Sequence, residues 1–222
     1  EVTAVTGSSC TNVYLSAGDG MWTFARRPDQ ETNAESSVGV RGFFQREVCK
    51  TMSYVKDGTS NTIALSEGKV PVIKDTDIIA DGGVALVGTI NSSVANAKGA
   101  RDVCLSNGYN ATDKTRVSTV ASSWRGRIWS NGRASESWFT TTLAPNSISC
   151  AAGDGSHAYG TFSPSSYHTG GVQVLFADGS IHFVSNTIDV GSFSMPQVAE
   201  GKSNFGVWGA LGSMVGGESK SL

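Results

Sequence analysis

The run from Gly171 to Ser185 constrains this chain more than any other stretch. Val172, Val174 and Phe176 alternate with Gln173, Leu175 and Ala177; Asp178-Gly179 then interrupts, and Ile181 and Phe183 alternate with His182 and Val184. Period-two alternation on both sides of an Asp-Gly pair specifies an antiparallel hairpin, because Asp and Gly accept the backbone angles of a tight turn. With Asp178-Gly179 as a two-residue loop, Ala177 faces Ser180, Phe176 faces Ile181 and Val174 faces Phe183. That register puts Val172, Val174, Phe176, Ile181 and Phe183 on the core face and sets His182 opposite Leu175 on the other.

The rest of the chain reads in the same key. Its 222 residues include 27 glycines, and only 16% are charged against 39% hydrophobic, a balance that favours short strands, turns and long loops. This length is enough for one core, so residues 1–222 are read as one domain. Asp57-Gly58 makes a turn that leads into a strand containing Ile63 and Leu65. Trp124 to Arg133 reads as a strand-like run ending at Asn131-Gly132, and Trp138 to Leu143 as another. A helix starting near Ser92 is cut short by Gly99. Phe205 to Glu218 is apolar but dense in glycine and reads as an irregular segment or edge strand. The expected class is α+β and strand-rich.

Charge and cysteines narrow the function classes. A net charge of -2 and a pI near 5.9 leave no basic surplus for nucleic acid or an anionic membrane surface. No run reaches the roughly 18 apolar residues of a spanning helix. Cys10, Cys49, Cys104 and Cys150 are far apart in sequence, without CxxC spacing or a nearby His pair, so two disulfides in an oxidising compartment are expected rather than zinc. Four cysteines allow three pairings; the expectation is Cys10 with Cys49 and Cys104 with Cys150.

Catalytic patterns are sparse. There are three histidines, His157, His168 and His182. The pair His168 and Asp178 invites a dyad, but a strand rising about 3.3 Å per residue separates them. Asp178 and Gly179 are read as turn residues with positive φ, and His168 as a partner for a loop carbonyl. The Gly-x-Ser-x-Gly elbow, the phosphate loop and the full calcium-hand pattern are all missing, and adjacent Ser156 and His157 point apart on an extended chain. Calcium is the cofactor that loop oxygens would suit, with Asp57, Glu67 and Asp154 as candidate ligands; otherwise no cofactor is implied. Asp57 also reads as a turn residue capping the amides of Thr59 or Ser60. Trp22, Trp124, Trp129 and Trp138 are candidate stacking surfaces for sugars, and Arg125 or Arg127 beside them could make cation-π contacts or fill a strand edge.

Three blocks in order, Asp57-Gly58-Thr59-Ser60-Asn61-Thr62 followed by Glu67, then His168 with nine residues to Asp178-Gly179, then Gly206 to Ser213, resemble a large prepilin-like (pseudopilin) family expanded in planctomycetes, of no assigned activity. The resemblance spans about Val13 to Ser213. It implies a pilin-like head, an antiparallel sheet with long loops laid against an N-terminal apolar helix that this chain lacks. It also implies a structural role for the motif residues, export to the cell surface, and a place in a surface or secretion-related assembly with other pilin-like subunits or surface proteins. The leading expectation is therefore an exported, non-catalytic structural module. The alternatives are an extracellular carbohydrate- or calcium-binding module and a cryptic hydrolase around His157 or His168.

Overall fold

Strand β2 (Ile63–Glu67) is the centre of the larger sheet, because it alone is paired on one edge with β1 (Val13–Ser16) and on the other with β7 (Gly171–Phe176), both antiparallel. The computed structural model describes residues 10–20, 40–45, 48–70, 77–87, 98–121, 125–130, 132–152, 160–218 and 222. Along chain order the remaining elements are β3 (Val84–Val87), α1 (Lys98–Asn107), α2 (Ala134–Ser137), β4 (Trp138–Phe139), β5 (Ser149–Ala152), β6 (Gly160–Thr161), β8 (Ile181–Ser185) and α3 (Gly206–Gly212). The five-stranded sheet runs β4-β1-β2-β7-β8, with β4 parallel to β1; a second sheet runs β3-β5-β6, with β3 parallel to β5. The protein is α+β and strand-rich, as the composition suggests.

The hairpin forms, but one residue out of the expected register. Leu175 faces Ile181, Val174 faces His182 and Val172 faces Val184. The Phe176 amide donates to the Ser180 carbonyl at 2.9 Å, so the loop holds three residues, Ala177, Asp178 and Gly179. Gly179 alone takes a positive φ, +89°; Asp178 does not, and its carboxylate accepts bonds from the amide and hydroxyl of Ser180. A three-residue loop with glycine in the left-handed position matches the strand twist as well as the two-residue form. Because side chains alternate, the slip turns β8 over. Val184 is buried, whereas Ile181 is 67% and Phe183 47% exposed, the reverse of the expectation for those two.

Over the inner face of the large sheet lies α3, where an irregular segment or edge strand was expected. Trp208 stacks on Phe139 with ring centroids 6.3 Å apart and donates its indole N–H to the Leu143 carbonyl at 2.9 Å. With Leu211 it completes a core of Tyr14, Ile63, Phe139, Val172, Val174, Phe176 and Val184. Glycines disfavour isolated helix, but a side chain at Gly209 would overlap Ser203 and one at Gly212 would overlap Thr141. Close approach selects the glycines, and packing supplies what propensity lacks.

Helix α1 likewise passes through Gly99 instead of ending there. Its Cys104 is bonded to Cys150 on β5, and both lie in the second core with Ala85, Val87, Val117, Leu143 and Ile148. The other expected disulfide is not formed: Cys10 is half-buried, Cys49 is exposed, and each is a free thiol. Residues 125–130 form turns, not a strand. There Arg125, 2% exposed, lies over the Tyr14 ring at 4.1 Å and the Phe162 ring at 5.5 Å while donating to the carbonyls of Ala134 and Ser135. Burial pushes the Tyr14 hydroxyl up to about 12 and Arg125 down to about 10, each opposed by the other's proximity. Trp138–Phe139 is the only strand within the expected 138–143 run. Beyond it, Thr140 and Thr142 join Thr161 in a buried hydroxyl chain that ties the two sheets together.

A buried charge pair closes the C-terminal side. Arg41 Nε lies 3.0 Å from Asp19 Oδ1, both nearly inaccessible, and the guanidinium also donates to the Gly201 carbonyl and the Ser213 hydroxyl. Desolvation raises the Asp19 carboxyl to about 6, against the pull of Arg41 and a bond from Ser203.

Three outcomes follow. Denatured without reductant, each chain should show two reactive thiols, rising to four after reduction; none before reduction would mean that Cys10 and Cys49 are bonded. Removing the Cys104–Cys150 link should cost about 4 kcal/mol in the chain-entropy account of its 46-residue separation. Asp19 holds its proton more tightly folded than unfolded, so its contribution is full below the unfolded value of 3.8 and lost as pH rises through about 6. Relative to wild type, Asp19→Asn should therefore gain about 3 kcal/mol between about pH 4 and about pH 7, read from denaturation midpoints.

Candidate functional site

Residues of the first two blocks make their contacts at opposite ends of β2. At its start, the Asp57-Gly58 turn, with Gly58 at φ +94°, leads through a short 3-10 turn at Thr59–Asn61. The Asn61 amide and carboxamide donate to the Gly58 and Asp57 carbonyls, and the Thr62 hydroxyl donates to Gly58, closing the block on itself. The Asp57 carboxylate does not cap Thr59 or Ser60. Its two oxygens accept the amides of Gly216 and Gly217, each at 2.7 Å, while the Lys56 and Asp57 amides donate to the Met214 carbonyl. This clamp holds the segment after α3 against the entrance to β2. A carboxylate suits this because each of its two oxygens takes one of the two successive backbone donors.

At the far end, Glu67 and His168 meet. His168 Nε2 lies 3.2 Å from Glu67 Oε1, and the second oxygen, Oε2, accepts the Gln173 amide at 2.8 Å. His168 therefore pairs with a carboxylate from β2 rather than with a loop carbonyl. Asp178 lies beyond the six residues of β7 with its own partner, Ser180, whose hydroxyl and amide hold its carboxyl below the usual carboxylate range. Asp57 and Glu67, expected as joint oxygen ligands, are committed to different groups.

Beside His168 opens a cleft of about 480 Å³. Lys69, Tyr109, Lys114, Asn146, Tyr167 and Asn186 line it along with small hydroxyl residues. Lys69 Nζ sits 4.7 Å from the centre of the Tyr167 ring; burial lowers its pKa, with Asp81 acting the other way. The Tyr167 loop is pinned on both sides. Ser166 Oγ donates to the Gly171 carbonyl and accepts the His168 amide, and Asn146 Oδ1 accepts the Ser166 amide. Asn146, at φ +59°, is the one described non-glycine residue in the left-handed region, and its amide nitrogen reaches Gly171 and Asn186.

Sequence reasoning missed this cleft, because its residues come from seven separate stretches of chain with no shared spacing. Asn146 next to Pro145 was legible only as a turn. Of the expected stacking residues, Trp138 is 6% exposed in the core and cannot receive a sugar, Trp129 is 65% exposed, and Trp22 and Trp124 lie outside the described residues. Asp154, Ser156 and His157 lie outside them too. Among the described residues, no three His, Cys, Asp or Glu side chains come together to hold a metal, and no helix is long and apolar enough to cross a membrane.

The model of a family described as protein of unknown function (DUF1559) matches residues 2–191. No curated protein and no solved structure matches the chain.

If Asp57 and Glu67 serve as clamps, their losses should rank by burial. Asp57→Ala strands two amides beside a carboxylate site that is 7% exposed and should cost about 2–4 kcal/mol. Glu67→Ala, at a side chain 32% exposed, should cost about 1 kcal/mol and speed hydrogen exchange at the Gln173 amide. Urea denaturation of both variants tests the ranking.

Proposed function

The chain belongs to that family of unknown function, and we propose that it is the exported, non-catalytic head of a pilin-like surface or secretion-related assembly, its large sheet seated on an apolar helix ahead of β1. One observation carries this reading: a groove on the outer face of the five-stranded sheet is largely apolar, with Glu67 and Gln173 beside it, and none of the described residues covers it. Val13 on β1, Leu65 on β2, Leu175 on β7 and Ile181 on β8 line a shallow groove of about 220 Å³, with Phe183 exposed beside them. Antiparallel sheets in water normally show a polar outer face. Fully burying an Ile or Phe side chain is worth about 1.5–3 kcal/mol, so a helix laid along this row would gain several such contributions. Chain entering β1 arrives at Val13, the edge of the same groove.

Two further features support the reading. The Cys104–Cys150 bond suits an oxidising compartment outside the cytoplasm. The carboxylates of Asp57 and Glu67 are spent on backbone amides and a histidine, as structural clamps would be. The other partners of such a head are pilin-like subunits or surface proteins.

The reading is tested in cells making the full precursor. A membrane-impermeant biotin reagent should label the head on intact cells, and Ile181→Lys with Phe183→Ser should lower the amount of assembled head while the isolated chain keeps its denaturation midpoint within about 0.5 kcal/mol. Labelling only after lysis would remove export, and normal assembly of the double variant would remove the docking face.

A further inference from the structure

The cleft beside His168 has the features of a ligand site that the head's proposed assembly role does not use. Tyr167 stands 72% exposed, yet the loop carrying it is fixed by Ser166, Asn146 and the His168–Glu67 pair. An exposed aromatic ring on a pinned loop loses little conformational freedom when a ligand stacks on it. Lys69 covers one side of that ring, which leaves the other open. Asn146 is held in a conformation that costs a non-glycine residue free energy, and such outliers gather where a loop must present something.

Charge selects the ligand class. Neither Lys69 nor Lys114 forms an ion pair with a described residue, and no Asp or Glu is among the described residues lining the cleft. The lining therefore carries two ammonium groups and no carboxylate of its own, with Asp81 near Lys69 and Glu67 behind His168 just outside it. Arginine is also missing from the described lining, so the forked donor that best grips phosphate is not offered. What the cleft offers is an aromatic face, carboxamide and hydroxyl groups, and two ammonium groups. A pyranose ring has an apolar face for the first, hydroxyls for the second and, when oxidised at its terminal carbon, a carboxylate for the third.

We propose that this cleft binds an acidic oligosaccharide built of uronic acid units, a sugar face stacked on Tyr167 and carboxylates held by Lys69 and Lys114. The carboxamide of Asn186, whose oxygen is taken by Asn146, has its nitrogen left to donate to a sugar hydroxyl.

Trigalacturonate titrated into the intact chain at low salt, with amide chemical shifts recorded, tests this. Shifts should cluster at residues 165–169, Lys69 and Asn186, and affinity should fall as salt is raised. The methyl-esterified trimer, which keeps the ring and loses the charge, should bind at least about tenfold more weakly, as should Lys114→Ala with the acid form. Tyr167→Ala should weaken both forms by a similar factor; both positions are exposed, so the fold should be unaffected. Equal affinity for acid and ester would overturn the charge assignment. Silence up to 10-millimolar trimer, or binding indifferent to Tyr167→Ala, would overturn the site, and none of these results bears on whether the head is exported or assembled.

Discussion

A single hydrogen bond, from the Phe176 amide to the Ser180 carbonyl, governs how this molecule meets its surroundings. It makes the hairpin loop three residues long and so fixes which side of the sheet each residue of β8 occupies. With that loop, Val184 completes the core under α3, and Ile181 and Phe183 join Val13, Leu65 and Leu175 on the far side. One residue fewer would have buried Ile181 and Phe183 and put His182 and Val184 beside Leu175 on the outer face instead. The apolar outer face, and with it the proposal that an apolar helix lies there, rests on this register.

The three sequence blocks that mark the resemblance turn out to be mechanical neighbours. The first leads into β2, the second carries the strand paired with β2, and the third is the helix that caps the sheet and whose tail Asp57 holds. Residues needed to bring distant pieces of backbone together are as constrained as catalytic ones, since a buried amide without its acceptor costs about as much as a lost core methyl pair. Asp57 and Glu67 each bind backbone donors that come from far along the chain, Glu67 more than a hundred residues away. Their position at the two ends of one strand explains why both belong to the pattern although they never meet.

Much of the fold could be read in advance where structure follows from local rules. The β2 strand after Asp57-Gly58, the hairpin, and the Cys104–Cys150 pair were legible because turn chemistry, alternation and cysteine parity act over short spans or small menus. Two of the expectations that failed share one physical cause. The glycine-rich α3 and the turns around Arg125 were judged by intrinsic preference, and each was decided by what packs against it. The candidate cleft was not legible at all, because Lys69, Lys114, Asn146, Tyr167 and Asn186 acquire a common meaning only once the sheets bring their loops together.

By itself, then, the sequence determined the α+β class, the positions of β2 and the two hairpin strands, and the absence of any basic or metal-spacing pattern, since these depend on composition and on periods of two. Tertiary structure alone decided the hairpin register, the helical state of the glycine-rich end, the pairing of Glu67 with His168 and the cleft beside them. The reason is that side-chain alternation fixes a strand but says nothing about which of two nearly equal loops closes it. Only a packed core, with Trp208 and Val184 on one side of the sheet, makes the difference large enough to choose.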